Sequence, residues 1–186
     1  MQNIVRFLIV AGISVLFAYP VLVMRNLGSD KTSSVTSLRC NGVSIGDTEL
    51  KVESIFGKPL TSSIDRDHLV VTTYSGSYTA AYLKNICVFY EADSLSVKVG
   101  GKWANLDISD SLADVQETLG KPTAVESSLR QSSLVYNFPH LDLRLSVNYS
   151  TVRASRFLSL SFGGEKKIRN FNVSQPSRGI EFSSVP

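Results

Sequence analysis

Histidine is the side chain best suited to moving protons near neutral pH, and this chain holds two of them. His68 closes the polar stretch DRDH (65–68), where Asp65 and Asp67 could orient its ring; His140 stands in the tight sequence FPHL (138–141). A general base also needs a nucleophile within hydrogen-bond reach. Serine is too common here for any one to stand out, and the chain has no G-x-S-x-G elbow and no glycine-rich phosphate loop. Cys40 and Cys87 lack C-x-x-C spacing, so they do not form a zinc set with the two histidines. The chemistry on offer is acid–base work at His68, and a charged loop cluster of this kind is ordinarily solvated surface. The expectation is a protein that is not an enzyme, with no cofactor, no metal and no small-molecule substrate.

The elements around these residues are written in duplicate. IGDTELKVESIFGKP (45–59) and ISDSLADVQETLGKP (108–122) align with their glycines, Gly57 and Gly120, 63 positions apart. Thr48 and Ser111 are helix N-cap types, and Ser111 with Asp114 gives the capping-box pattern. Val52, Ile55 and Phe56, and likewise Leu112, Val115 and Leu119, recur at helical spacing. Gly57 and Gly120 suit the residue just past a helix, and Pro59 and Pro122 forbid its continuation. After each stop the period falls to two. LVVTTY (69–74), SYTAAYLK (77–84), ICVFY (86–90) and LSVKV (95–99) follow the first helix; LVYNF (134–138), LDLRLSVN (141–148) and VRASRFLSLSF (152–162) follow the second. This predicts an α+β fold: two tandem helix-plus-antiparallel-strand repeats, 40–102 and 103–163, sharing one sheet. Trp103 is expected in the core at their junction. Residues 164–186 show no sustained period and read as a flexible tail, or as a peptide able to add to a sheet edge.

The chain opens differently. Residues 7–24 form an uncharged apolar run of 18 residues, about the minimum for a transmembrane helix and longer than a signal-peptide core. An uncleaved N-terminal membrane anchor over 1–24 is expected, a cleaved signal being the alternative, with a linker at 25–39. The expected location is the cell membrane, single-pass, with the globular part on the periplasmic side. An even pair of cysteines in an exported domain suggests a Cys40–Cys87 disulfide, against the alternative of two buried thiols. The formal charge of +3 is too small to argue for nucleic acid.

The repeated unit, a [T/S]-x(3)-V-x(3)-[F/L]-G-x-P helix followed by strands, resembles the SmpA/OmlA family of envelope proteins, which includes the barrel-assembly lipoprotein. In tandem it is similar to the fold of the β-lactamase inhibitory protein. The resemblance spans roughly 41–163. A tandem helix-plus-sheet repeat with an exposed sheet face and no catalytic motif leads to the expectation of a non-catalytic, membrane-anchored envelope module that binds a protein partner through that face; the alternative is an inhibitor or immunity-type protein that clamps an enzyme or toxin. On strand 141–148 the apolar set Leu141, Leu143, Leu145 and Val147 must face the helices, which turns Arg144 outward. The same alternation puts Arg153 and Phe157 on the outer face, and Lys98 extends it. Arg144, Phe157, Arg153 and Lys98 are therefore the expected protein-binding residues.

Overall fold

In the computed structural model of this chain, which describes residues 31–65, 68–127, 131–152 and 165–178, both Gly-Lys-Pro stretches close an eight-residue helix. These are α1 (Glu49–Phe56) and α2 (Leu112–Leu119). The Lys51 N–H donates to Thr48 Oγ1 at 3.3 Å, and the Asp114 N–H to Ser111 Oγ at 3.2 Å. At α2 the cap is reciprocal, since the Ser111 N–H donates to Asp114 Oδ2 at 2.9 Å. Gly57 and Gly120 end the helices at φ/ψ of 81/−165° and 83/−157°, a region essentially confined to glycine. The turns leading into the helices are also copies. The Ser44 N–H donates to Asp47 Oδ2, and the Asp107 N–H to Asp110 Oδ2, both at 2.8 Å.

Among the described residues eleven strands accompany these helices. They are β1 (Val35–Arg39), β2 (Thr61–Ile64), β3 (Val70–Thr73), β4 (Thr79–Leu83), β5 (Ile86–Ala92), β6 (Ser94–Val99), β7 (Lys102–Asp107), β8 (Ala124–Ser127), β9 (Ser132–Phe138), β10 (Leu143–Val152) and β11 (Glu165–Ser174). Eight form one sheet in the order β2-β3-β4-β5-β11-β10-β9-β8, and three form another in the order β1-β6-β7. Every pairing is antiparallel. The larger order is a palindrome. Each half runs inward from a four-strand series behind its own helix, and the halves meet at β5 and β11.

The core lies on one side of the large sheet. Tyr82, Tyr90, Leu134, Tyr136, Leu145, Val147, Phe171 and Val173 from its inner face form a single cluster with Val52 of α1, Val115 and Leu119 of α2, and Leu38, Leu95, Val97 and Leu106 of the small sheet. Both helices and the small sheet therefore share one layer, and the other face of the large sheet carries no second described layer.

Several expectations are corrected here. The fold is mostly antiparallel β-sheet rather than α+β, because the helices stop after two turns while strands fill nearly everything between them. Residues 165–174, expected in a flexible tail, form β11 in the middle of the sheet, paired to both β5 and β10. Its inward residues are Ile168, Phe171 and Val173; a register shift opposite Asn148/Tyr149 breaks the period of two, which is why the strand is hard to see in the sequence. The strand placed at 152–162 lies, beyond Val152, outside the described residues. Among the described residues no helix is long and apolar enough to cross a membrane; an eight-residue helix spans about 12 Å against a hydrocarbon core of about 30 Å. The single-pass anchor and the membrane and periplasmic location thus lose their support, and residues 7–24 lie outside the described part.

Candidate functional site

The alternation of each strand turns one set of side chains away from the core, and the register aligns them. One row crosses all eight strands through successive paired residues: Thr61, Thr73, Thr79, Glu91, Asn172, Ser146, Val135 and Ala124. A neighbouring row runs Val71, Ala81, Phe89, Ser174, Arg144 and Asn137. The face is thus short hydroxyls and amides around a small apolar centre.

A relay of side-chain hydrogen bonds ties four strands across this face. Ser133 Oγ donates to Asn148 Oδ1, Asn148 Nδ2 to Asn170 Oδ1, and Asn170 Nδ2 to Glu91 Oε1, each at 2.6 Å. Such ladders hold their members in fixed rotamers, so the surface is preorganised. Arg144 lies on this outer face, but half-buried and paired to Glu126 of β8 at 2.7 Å. Lys98 lies elsewhere, on β6 of the three-stranded sheet. Arg153 and Phe157 lie outside the described residues. The structure therefore does not unite the four expected binding residues in one described site. Sequence reasoning puts Asn148 on the wet face of its strand but names none of Asn148, Asn170 and Asn172 as a binding residue, and the last two sit in the stretch read as a tail.

The candidates for chemistry are otherwise engaged. His140 Nε2 donates to the Val35 carbonyl and so pins the turn before β10 to β1. His68 is exposed in the β2–β3 connection. No group of three His, Cys, Asp or Glu side chains that could hold a metal occurs among the described residues. Cys40 and Cys87 are both buried free thiols, which corrects the expected disulfide. Each is enclosed in the apolar cluster, and burial pushes each thiol up to about 12. Such thiols are inert.

The first repeat also buries a group of tyrosines. The Phe56 and Tyr78 rings stack at 4.0 Å between centroids, and the Tyr74 and Tyr82 hydroxyls are hydrogen-bonded at 2.9 Å. The Tyr90 hydroxyl is buried without a hydrogen-bond partner among the described residues, and that of Tyr78 lies against the Cys87 thiol. Trp103, expected in the core, is instead 46% exposed on β7.

No family model matches the chain, and no curated protein does. Among solved structures it is similar to a DUF4309 family protein (YjgB) from Bacillus subtilis subsp. subtilis str. 168. The two are 14% identical, the match covers 81% of this chain and 94% of that one, and the TM-score is 0.45. A likeness of that degree carries no argument about either fold or function.

Proposed function

We propose that the protein is a non-catalytic binding module that engages a protein partner through the outer face of its eight-stranded sheet. The observation that carries this reading is the cross-sheet row from Thr61 to Ala124, on the side away from both helices and the small sheet. Eight strands span about 34 Å across at ~4.8 Å per gap. With strands roughly 20 Å long, the face measures on the order of 700 Å² against about 800 Å² for one partner's share of a standard interface; Ala81, Phe89, Val135 and Asn148 within it are buried, while Thr61, Ala124 and Asn137 are exposed. The resemblance of the repeated unit to SmpA/OmlA proteins supports the same reading. An inhibitor or immunity-type role would use the same face and differ only in that the captured partner is an enzyme that loses activity.

Site-specific photocrosslinkers test this in cells that produce the protein. Asn137 and Thr61 are exposed on the outer face, and Ser54 is exposed on α1. One protein captured from both Asn137 and Thr61 and not from Ser54 is the expected result. No adduct at the outer positions, or equal capture from Ser54, overturns the proposal.

A further inference from the structure

The three-stranded sheet carries a second surface, which does not depend on the face proposed above. Gly100 and Gly101, at φ of 54° and 85°, close a two-residue hairpin between β6 and β7. In such a hairpin the flanking residues, Val99 and Lys102, form a hydrogen-bonded pair. Pair types then alternate, so Lys98↔Trp103 and Ser96↔Asn105 are non-hydrogen-bonded pairs. The backbone N–H and C=O groups of Trp103 and Asn105 therefore point away from β6. β7 is an edge strand, and no backbone group among the described residues bonds to these.

The side chains of the same two residues stand on the outer face of this sheet. Arg39 reaches from β1 to place its guanidinium carbon 5.1 Å from the Trp103 ring centroid, and the Lys98 ammonium lies 6.0 Å from it. Neither cation forms an ion pair among the described residues. Two cations gathered on one half-exposed ring repel each other, and a carboxylate set between them converts that repulsion to attraction. Ser96 and Asn105, hydrogen-bonded to each other at 2.8 Å, keep the strip beside the ring flat and polar.

We propose that this edge docks an extended acidic segment of a partner protein. The segment adds to β7 as a fourth strand, hydrogen-bonded to the backbone of Trp103 and Asn105. Its acidic side chains meet Arg39 and Lys98, and its apolar surface rests on the Trp103 ring. A bilayer rich in anionic lipid would also attract basic and aromatic side chains. The free strand edge beside the ring favours a polypeptide, since a bilayer supplies no strand to pair with it.

Trp103 is the single tryptophan of the chain, so its emission reports on this site alone. The full chain is titrated with an eight-residue peptide of alternating Glu and Val. Controls are the same peptide with Gln for Glu, a version N-methylated along one edge, and phosphatidylglycerol vesicles. The expected result is a saturable emission change with the acidic peptide, weakened at least tenfold by Gln replacement, by N-methylation or in the Arg39→Ala/Lys98→Ala variant. Lys58→Ala/Lys121→Ala, which removes two exposed cations outside the small sheet, should leave it unchanged. Equal weakening in that control, or undiminished binding by the Gln peptide or the Arg39/Lys98 variant, overturns the proposal. An emission change with vesicles and none with peptide would overturn it in favour of a membrane surface.

Discussion

Alkaline pH should destabilise this domain steeply, and the buried thiols set where the loss begins. Burial raises Cys40 and Cys87 from 9.0 to about 12 each, with Asp93 adding to the shift at Cys40 and Asp47 at Cys87. Burial likewise raises Tyr74, Tyr78, Tyr82, Tyr90 and Tyr136 above their ordinary value of 10.0. In the unfolded chain all these groups ionise at their ordinary values, so above pH 9 the unfolded state binds fewer protons than the native one. Unfolding free energy must then fall as pH rises, and it is unaffected by these groups below pH 9. Each thiol contributes a slope of up to about 1.4 kcal/mol per pH unit between 9 and 12. Two units of pH above 9 therefore remove about 2.7 kcal/mol per thiol, or roughly 5 kcal/mol for the pair, against a typical total of 5–15 kcal/mol. The tyrosines steepen the fall above pH 10. Urea unfolding followed by far-UV circular dichroism at pH 7, 8, 9, 10 and 11 measures it. The midpoint should hold from pH 7 to about 8.5 and then drop, and a Cys40→Ala/Cys87→Ala variant should lose about half of the slope between 9 and 10, the rest coming from the buried tyrosines. A midpoint that stays flat to pH 11, or a slope unchanged in the double variant, would refute the assignment of these thiols to the native core.

Gly57→Ala should cost about 1–3 kcal/mol purely through the backbone, because the added Cβ meets nothing within 4 Å; an unchanged urea midpoint would contradict the helix-end geometry. Ser111→Ala should cost about 1 kcal/mol and more than Thr48→Ala, since only Ser111 belongs to a reciprocal cap; thermal melts of the two variants compare them directly. Tyr90→Phe removes a hydroxyl that has no partner and should raise stability by about 1 kcal/mol, whereas Tyr82→Phe breaks its 2.9 Å bond to Tyr74 and should lower it by about as much. Ellman's reagent should find no reactive thiol in the native protein and two after denaturation without reductant, in keeping with buried, unbonded Cys40 and Cys87.

The repeat was legible because its signals are local. A cap, a helical apolar spacing and a Gly-x-Pro stop are each decided within a few residues, and Thr48, Ser111, Gly57 and Gly120 all take up those roles. What could not be read is decided between distant segments. β11 pairs with β5 across more than seventy residues, and its irregular inward spacing at Ile168, Phe171 and Val173 hides the period that marks a strand. Arg144 was correctly turned away from the core by alternation, but the sequence around it does not reveal that Glu126 would claim its charge. Trp103 is expected in the core from its place at the repeat junction, despite a residue type common at contacts, whereas its position on an edge strand opposite Lys98 exposes it. The cysteines failed for a related reason. An even count constrains how many bonds could form, and it says nothing about whether two side chains approach each other.

The mirrored strand order explains why both helices stand on the same face of the large sheet. The central pair, β5 and β11, is antiparallel, so the axis relating the two halves passes between these strands perpendicular to the sheet. Such an axis exchanges the halves without exchanging the two sides of the sheet. Both helices must then lie on the same side, as their shared cluster with Phe171 and Val173 shows. A helix of eight residues can cover only its own few strands, and duplication doubles the width of the sheet without requiring a second helix layer. A broad sheet face invites self-association; here Ala81, Phe89, Val135 and Asn148 of the outer face are buried, and the row around them is mostly polar. The cross-sheet row is filled from Thr61 to Ser146 by hydroxyls, amides and one carboxylate, and the outermost strands, β2 and β8, are only four residues long. Short edges and polar rows blunt non-specific pairing. The Ser133–Asn148–Asn170–Glu91 relay, with Asn148 buried, braces this face across four strands, so on the proposed reading recognition should rest on hydrogen-bond geometry more than on apolar burial.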